Sequence, residues 1–151
     1  MQDFPARDPN YDARVRASFE RQQLMHTLGM RIEALEPGRI TLGMGYDRAL
    51  TQQHGFLHGG IVASGLDTAC GFASFSLMPP NAAVLTVEFK TNFLSPAQGD
   101  SFRLDATVSK SGRSLIFVEA QAHAITDSAP RLIATMSATM MAIYDREGIK
   151  G

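Results

Sequence analysis

The sequence predicts an α+β domain: a curved antiparallel sheet of about six strands wrapped round one long apolar helix, with an extra helix at the N-terminus. Three observations predict it. Residues 59–77 are a nearly unbroken run of apolar and small side chains that stops at "PPN". After it, polar and apolar residues alternate in strand-length blocks divided by turn residues. Ahead of it, two shorter blocks flank "EPG", a Pro-Gly turn signal.

The elements follow in order. Residues 1–10 hold two prolines and mixed charge and read as a flexible tail. Residues 11–28 read as a helix, with Val15, Phe19, Leu24 and Leu28 on one stripe, Arg14, Arg16, Glu20 and Arg21 on the wet side, and Gly29 as the stop. "MRIEAL" and "RITLGMGY" form a hairpin, and a polar loop over 47–58 leads to the central helix. That helix carries Ile61, Val62, Leu66, Phe72, Phe75 and Leu77 nearly all round, so it is expected to be buried. Its small residues, Ala63, Ser64, Gly65, Ala69, Gly71 and Ala73, permit close approach of a neighbouring backbone.

In "AVLTVEFKTNFL", alternation assigns Leu85, Val87, Phe89 and Phe93 to the core face and Thr86, Glu88, Lys90 and Asn92 to the other. "SFRLDATVSK" groups Phe102, Leu104, Ala106 and Val108. "GRSLIFVEAQAHAIT" and "RLIATMSATMMAIY" complete the set, divided by "SGRS" and "DSAP". Residues 11–145 thus make a single domain, and 146–151 a C-terminal tail.

The totals exclude several classes. The 14 basic and 15 acidic residues leave a net charge of −1 and no basic stripe, so nucleic acid is not an expected partner. One cysteine, Cys70, precludes an internal disulfide framework. The N-terminus has no signal-like apolar region, and no apolar run approaches membrane-spanning length, so a cytoplasmic protein with no membrane partner is expected. The low charged fraction, 19%, suits a chain that hides surface in an oligomer.

Asp67 lies inside the apolar helix, where an ionised, unpaired carboxylate costs several kcal/mol. It is either a paired structural group or a catalytic carboxylate. Gly59 and Gly60 open the same helix. Their N–H groups lack intrahelical partners, so this end can hold an oxyanion, though a plain Gly-rich helix start has the same sequence. Eight residues separate Gly59 from Asp67, about 12 Å along the axis and roughly 80° round it. One carbonyl cannot be held by the first and attacked through the second on a single helix. Either they are unrelated, or two chains set their helices antiparallel and the site needs a dimer.

Gln52 can orient a water or a substrate carbonyl, and His58 can brace the loop or support the oxyanion turn. His54 and His58 are not expected to hold a metal, because Gly55 breaks any helix that would align them. Cys70 and Ser64 have no base beside them, and Cys70 reads as a small core residue. "SKSGRS", residues 109–114, with Lys110 and Arg113 flanking Gly112, is either an anion-contact turn or a solvated hairpin. Phe56, Leu57, Phe72, Phe75 and Met78 either line an acyl pocket or pack the core.

"QQHGFLHGGIVASGLDTACGFAS" followed by "LTVEFKTNFLSPAQGD" resembles the hotdog-fold acyl-CoA thioesterases of the PaaI type, in order and element type over roughly residues 19–143. His58, Gly59, Gly60 and Asp67 carry the spacing that makes the resemblance specific. It implies that Asp67 is the catalytic carboxylate, activating water or attacking the thioester carbonyl. It further implies that the Gly59 N–H of a partner chain polarises that carbonyl, that Gln52 contacts the water or thioester where relatives often carry Asn, and that His58 supports the Gly59 turn. Gly60 and Thr86 fall at substrate-contact positions. Since Thr86 lies opposite the assigned core face, the strand is expected to present it at a dimer seam. Coenzyme A is expected near Lys110, Gly112, Arg113 and Ser114 and near the strand end at Phe93. No cofactor is expected, coenzyme A being part of the substrate. A homodimer is required for the site, and a homotetramer, a dimer of dimers, is the expected assembly. A non-catalytic acyl-CoA binding module and a hotdog hydratase or dehydratase are the competing readings.

Overall fold

The protein is described here by a computed structural model over residues 4–127, 129–149 and 151. Positions 1–3 of the expected N-terminal tail, Ser128 of "DSAP" and Lys150 of the C-terminal tail lie outside the described residues. The expected helix over 11–28 is two helices, α1 (Tyr11–Glu20) and α2 (Gln23–Leu28), with Gln22 extended between them. The break resets the phase of the apolar stripe. Val15 and Phe19 are buried as expected, but Leu24 is 47% exposed and Met25 takes the buried position with Leu28. Gly29 closes α2 at φ 62°, the left-handed conformation that favours glycine.

Strands β1 (Arg31–Glu36) and β2 (Arg39–Gly45) form the expected hairpin, with Gly38 at φ 76° in its turn. A short 3-10 turn, Arg48–Leu50, and a bridge between Thr51 and Leu57 shape the loop before α3 (Gly59–Phe75). Strands β3 (Ala82–Phe93), β4 (Ser101–Ser111), β5 (Leu115–Ile125) and β6 (Arg131–Tyr144) follow. They pair antiparallel throughout in the order β1-β2-β4-β5-β6-β3, so β1 and β3 are the edges. The six-stranded sheet and its long helix are those expected, and the hotdog architecture is present.

Helix α3 packs across β2 to β6. Val62, Leu66, Ala69, Phe72, Ala73 and Phe75 are buried on it, against Phe102, Leu104, Ala106 and Val108 of β4 and the even positions Met136, Ala138 and Met140 of β6. A Cβ at Gly65 would lie 2.5 Å from Met30 Cε and 2.7 Å from Leu104 Cδ2, so glycine is what lets helix and sheet meet there. The helix is not buried all round. Gly60, Ser64, Asp67 and Gly71 keep partial exposure along one stripe at helical spacing.

The face assignment in β3 needs correcting. Register with β6 shifts between Thr86 and Glu88, which leaves Val87 as a bulge residue. Thr86 pairs with Met140, Phe89 with Ala138 and Phe93 with Ala134, all buried partners on the helix side of the sheet. Leu85 pairs with Met141 on the outer side. Leu85, Val87, Phe89 and Phe93 are 41%, 51%, 44% and 56% exposed, so they do not form a core face within one chain. The extra residue inverts the alternation part way along, and the strand is an edge of the sheet.

Candidate active site

The bulge turns Thr86 toward α3. Its hydroxyl donates to Asp67 Oδ1 at 2.8 Å, joining the edge strand to the middle of the helix. The expectation that Thr86 faces away from the helix is therefore overturned, because alternation cannot register an inserted residue. Asp67 is half-buried, which lowers the cost of its charge relative to the fully buried site the sequence implies. Asp67, Thr68, Gly71, Phe72, Val84 and Thr86 line a pocket of about 150 Å³, with Gln22 on its wall.

A second pocket, about 440 Å³, lies at the N-terminal end of α3. Gln52, Phe56, Leu57, Gly59 and Val62 line it with Phe93 to Ala97 and Ile133. His58 is the helix N-cap. Its Nδ1 accepts the Gly60 N–H at 2.9 Å, and its carbonyl accepts from Ile61 and Val62 at 2.9 and 3.3 Å. Those bonds satisfy every first-turn donor except one. Gly59 N–H has no hydrogen-bond partner among the described residues. A histidine cap thus consumes the Gly60 donor and leaves the Gly59 donor at the pocket.

Glycine at 59 also answers to a contact within the chain. A Cβ there would sit 3.1 Å from Phe93 Cζ, so the Phe93 ring lies against the helix start. The side-chain oxygen of Gln52 accepts from the His54 N–H, which folds the loop back on itself, and the Gln52 N–H donates to the Phe56 carbonyl at 2.9 Å. The structure therefore brings Gln52, Gly59 and Phe93 together at one pocket, with His58 capping the adjoining helix start, and Asp67 with Thr86 at another.

Lys110, Gly112, Arg113 and Ser114 sit on the β4–β5 hairpin and line neither pocket in a single chain. Lys110 and Arg113 are exposed, and the Arg113 carbonyl accepts from Tyr144 Oη at 3.1 Å. Of the apolar residues weighed for an acyl pocket, Phe72 borders the carboxylate, Phe56 and Leu57 border the Gly59 pocket, and Phe75 and Met78 belong to the core. Cys70 is fully buried, and desolvation first, then the nearby Asp67 charge, pushes its thiol up to about 12. It is an inert core thiol. Sequence reasoning missed Gln22 and Gly71 as pocket residues, because the first follows from the helix break and the second from a void that no motif marks.

A hotdog sheet with a carboxylate at mid-helix and an unsatisfied N–H at the helix start is the arrangement expected of a thioester hydrolase. Comparison with known proteins agrees. The profile of the thioesterase superfamily matches residues 54–130. The crystal structure of a thioesterase family protein from Silicibacter pomeroyi is 60% identical, covers 89% of this chain and 98% of its own, and superposes with a TM-score of 0.88. A protein of Saccharolobus solfataricus that bears the provisional name of an esterase is 31% identical over 109 residues, 72% of each chain. Escherichia coli PaaI, from the phenylacetic acid degradation operon, shares the fold at 20% identity and a TM-score of 0.78, over 93% of this chain and 96% of its own. This chain belongs to the thioesterase superfamily and is a thioester hydrolase. No helix among its described residues is long and apolar enough to cross a membrane.

Proposed function

We propose that the protein is an acyl-CoA thioesterase whose active site is completed by a second copy of the chain. The observation that carries this is the separation of the parts: Gln52 and the free Gly59 N–H line one pocket, Asp67 and Thr86 another, with no lining residue in common. Two copies meeting along the unpaired edge of β3 continue the sheet and set their α3 helices antiparallel, bringing the partner subunit's Gly59 to Asp67. The stripe of Gly60, Ser64, Asp67 and Gly71 left open on α3 suits that approach.

In the completed site the thioester carbonyl oxygen accepts the Gly59 N–H, which stabilises the charge that develops on it. Gln52 orients the thioester or the attacking water. His58 holds the turn through Gly60. Thr86 holds the Asp67 carboxylate in one orientation. Asp67 takes the proton of the attacking water as the CoA thiolate leaves, or attacks the carbonyl carbon itself, expelling the thiolate and forming an anhydride that water then hydrolyses. Label in Asp67 after a single turnover in ¹⁸O-labelled water identifies direct attack, since only an anhydride opened by water at the Asp67 carbon puts it there. The hairpin cations Lys110 and Arg113 contact the coenzyme A phosphates, and Phe93 borders its path into the pocket. Two dimers pair through the outer sheet face, where Leu85, Leu115 and Phe117 are 41%, 41% and 42% exposed. Phe117→Glu is expected to halve the mass seen by light scattering.

Complementation tests the shared site. A chain carrying Asp67→Ala and a chain carrying Gly59→Val are each expected to be inactive alone. Mixed as heterodimers they reconstitute one intact site of the two, and activity returns to about half that of the wild type. No recovery in verified heterodimers places both groups in one chain and refutes the reading.

A further inference from the structure

The break between α1 and α2 brings a side chain to the carboxylate pocket that nothing in the thioesterase chemistry requires. Gln22 occupies the N-cap of α2, a position where Ser, Thr, Asp or Asn satisfies the first N–H groups. Gln22 makes no such cap. Its backbone is extended, at φ −84° and ψ 97°, and it is held from both sides: the Phe19 ring packs 5.6 Å from that of Phe72, and Met25 is buried. The Gln22 side chain instead reaches α3, where its Oε1 accepts from Thr68 Oγ1 at 3.3 Å. Thr68 directly follows Asp67 and is buried. With the oxygen engaged, the Gln22 amide N–H groups have no hydrogen bond to another described residue, and Gln22 is part of the wall of the pocket beside Asp67.

The pocket owes its space to Gly71, one helical turn beyond Asp67. A Cβ at Gly71 would meet nothing within 4 Å. Glycine inside a helix costs about 1 kcal/mol relative to alanine, and packing within the chain gives no return for it here. The pocket's 150 Å³ is about five water volumes at ~30 Å³ each, room for a short chain or a single ring. Phe72 and Val84 give it apolar walls.

We propose that this pocket takes the acyl group and that Gln22 selects it. The Gln22 amide donates to an oxygen that the acyl group carries beyond its thioester carbonyl, and Gly71 sets the size admitted. The preferred substrates are compact oxygenated acyl thioesters. This rests on the thioesterase reading above.

The test uses matched pairs, butanoyl with 3-hydroxybutanoyl and phenylacetyl with 4-hydroxyphenylacetyl. Each is offered as the CoA thioester for kcat/KM and as the non-hydrolysable CoA thioether for Kd. The wild type is expected to favour the oxygenated member of at least one pair by about tenfold, the value of one neutral hydrogen bond in a desolvated site. Gln22→Leu brings that ratio close to one, chiefly by weakening the oxygenated member. Gln22→Met keeps the length without the amide and serves if the leucine variant melts early. Gly71→Leu lowers the ring pair at least tenfold more than the four-carbon pair. A wild-type ratio of one in both pairs, or a ratio untouched by both Gln22 variants, overturns the assignment even with normal turnover. Thioether affinities that shift as expected in a protein that hydrolyses none of the thioesters refute the thioesterase reading and leave this one standing.

Discussion

The two ends of α3 are built to opposite specifications. At the start, His58 caps Gly60, Ile61 and Val62 and leaves the Gly59 N–H free beside a pocket. At the finish the carbonyls are taken up. Ser74 and Ser76 hydroxyls donate to the Cys70 and Ala73 carbonyls at 2.9 and 2.7 Å. Arg14 of α1 donates to the carbonyls of Phe75, Met78 and Pro79 at 3.3, 2.5 and 2.9 Å. The same guanidinium lies 4.2 Å from the centre of the Phe75 ring and 2.9 Å from Asp8, which is only 4% exposed. A cation at the negative end of the helix dipole, satisfied by carbonyls, is the stabilising arrangement. An unsatisfied donor at the positive end is the one that can hold an anion. On the proposed reading, one helix carries chemistry in its first half and stability in its last turn.

Substitutions at each end should separate those roles. The largest effect is expected at Asp67. Asp67→Ala should lower kcat by about two to four orders of magnitude while melting no earlier than the wild type. Near wild-type kcat on the best substrate would remove Asp67 from the chemistry.

Arg14→Leu should do the reverse. It strands buried Asp8 and frees three carbonyls, and should cost about 3 kcal/mol in denaturant unfolding. Activity per folded molecule should hold. A stability loss under 1 kcal/mol would show the last turn to be no better secured than the first.

Thr86→Val removes one hydrogen bond to the carboxylate and keeps the strand shape. A fall in kcat of about five- to thirtyfold with KM little changed is expected. An effect on KM alone would make Thr86 a substrate contact, with no part in orienting Asp67.

Gly71→Ala is the smallest change and has the opposite sign. With open space for the methyl group, unfolding free energy should rise by about 0.5–1 kcal/mol. A loss of stability would mean that the void is filled in the native protein.

Much of this design was legible before any coordinates. Residues 59–77 are apolar enough, and closed firmly enough by two prolines, to be the central helix, which ends two residues earlier at Phe75, and Gly29 and "EPG" stop and turn the chain where they should. The separation of Gly59 from Asp67 is a matter of helical rise, and it holds: the two line different pockets. The helix break at Gln22 was not legible, since Arg21 and Gln22 are both good helix formers and no Gly or Pro marks the interruption. Nor was the bulge at Val87, around which residues 85–90 keep an unbroken polar-apolar alternation.

The sequence by itself determined what local chemistry can enforce: where elements start and stop, which run must be buried, and that a carboxylate and a glycine pair share one helix eight residues apart. Tertiary structure alone decided which side chains meet. Thr86 reaches Asp67 because pairing with β6 inserts a residue, and Gln22 reaches Thr68 because packing of Phe19 on Phe72 fixes where α1 ends. Periodicity describes one element at a time. Those two contacts depend on the register between elements, which is set by the whole core at once.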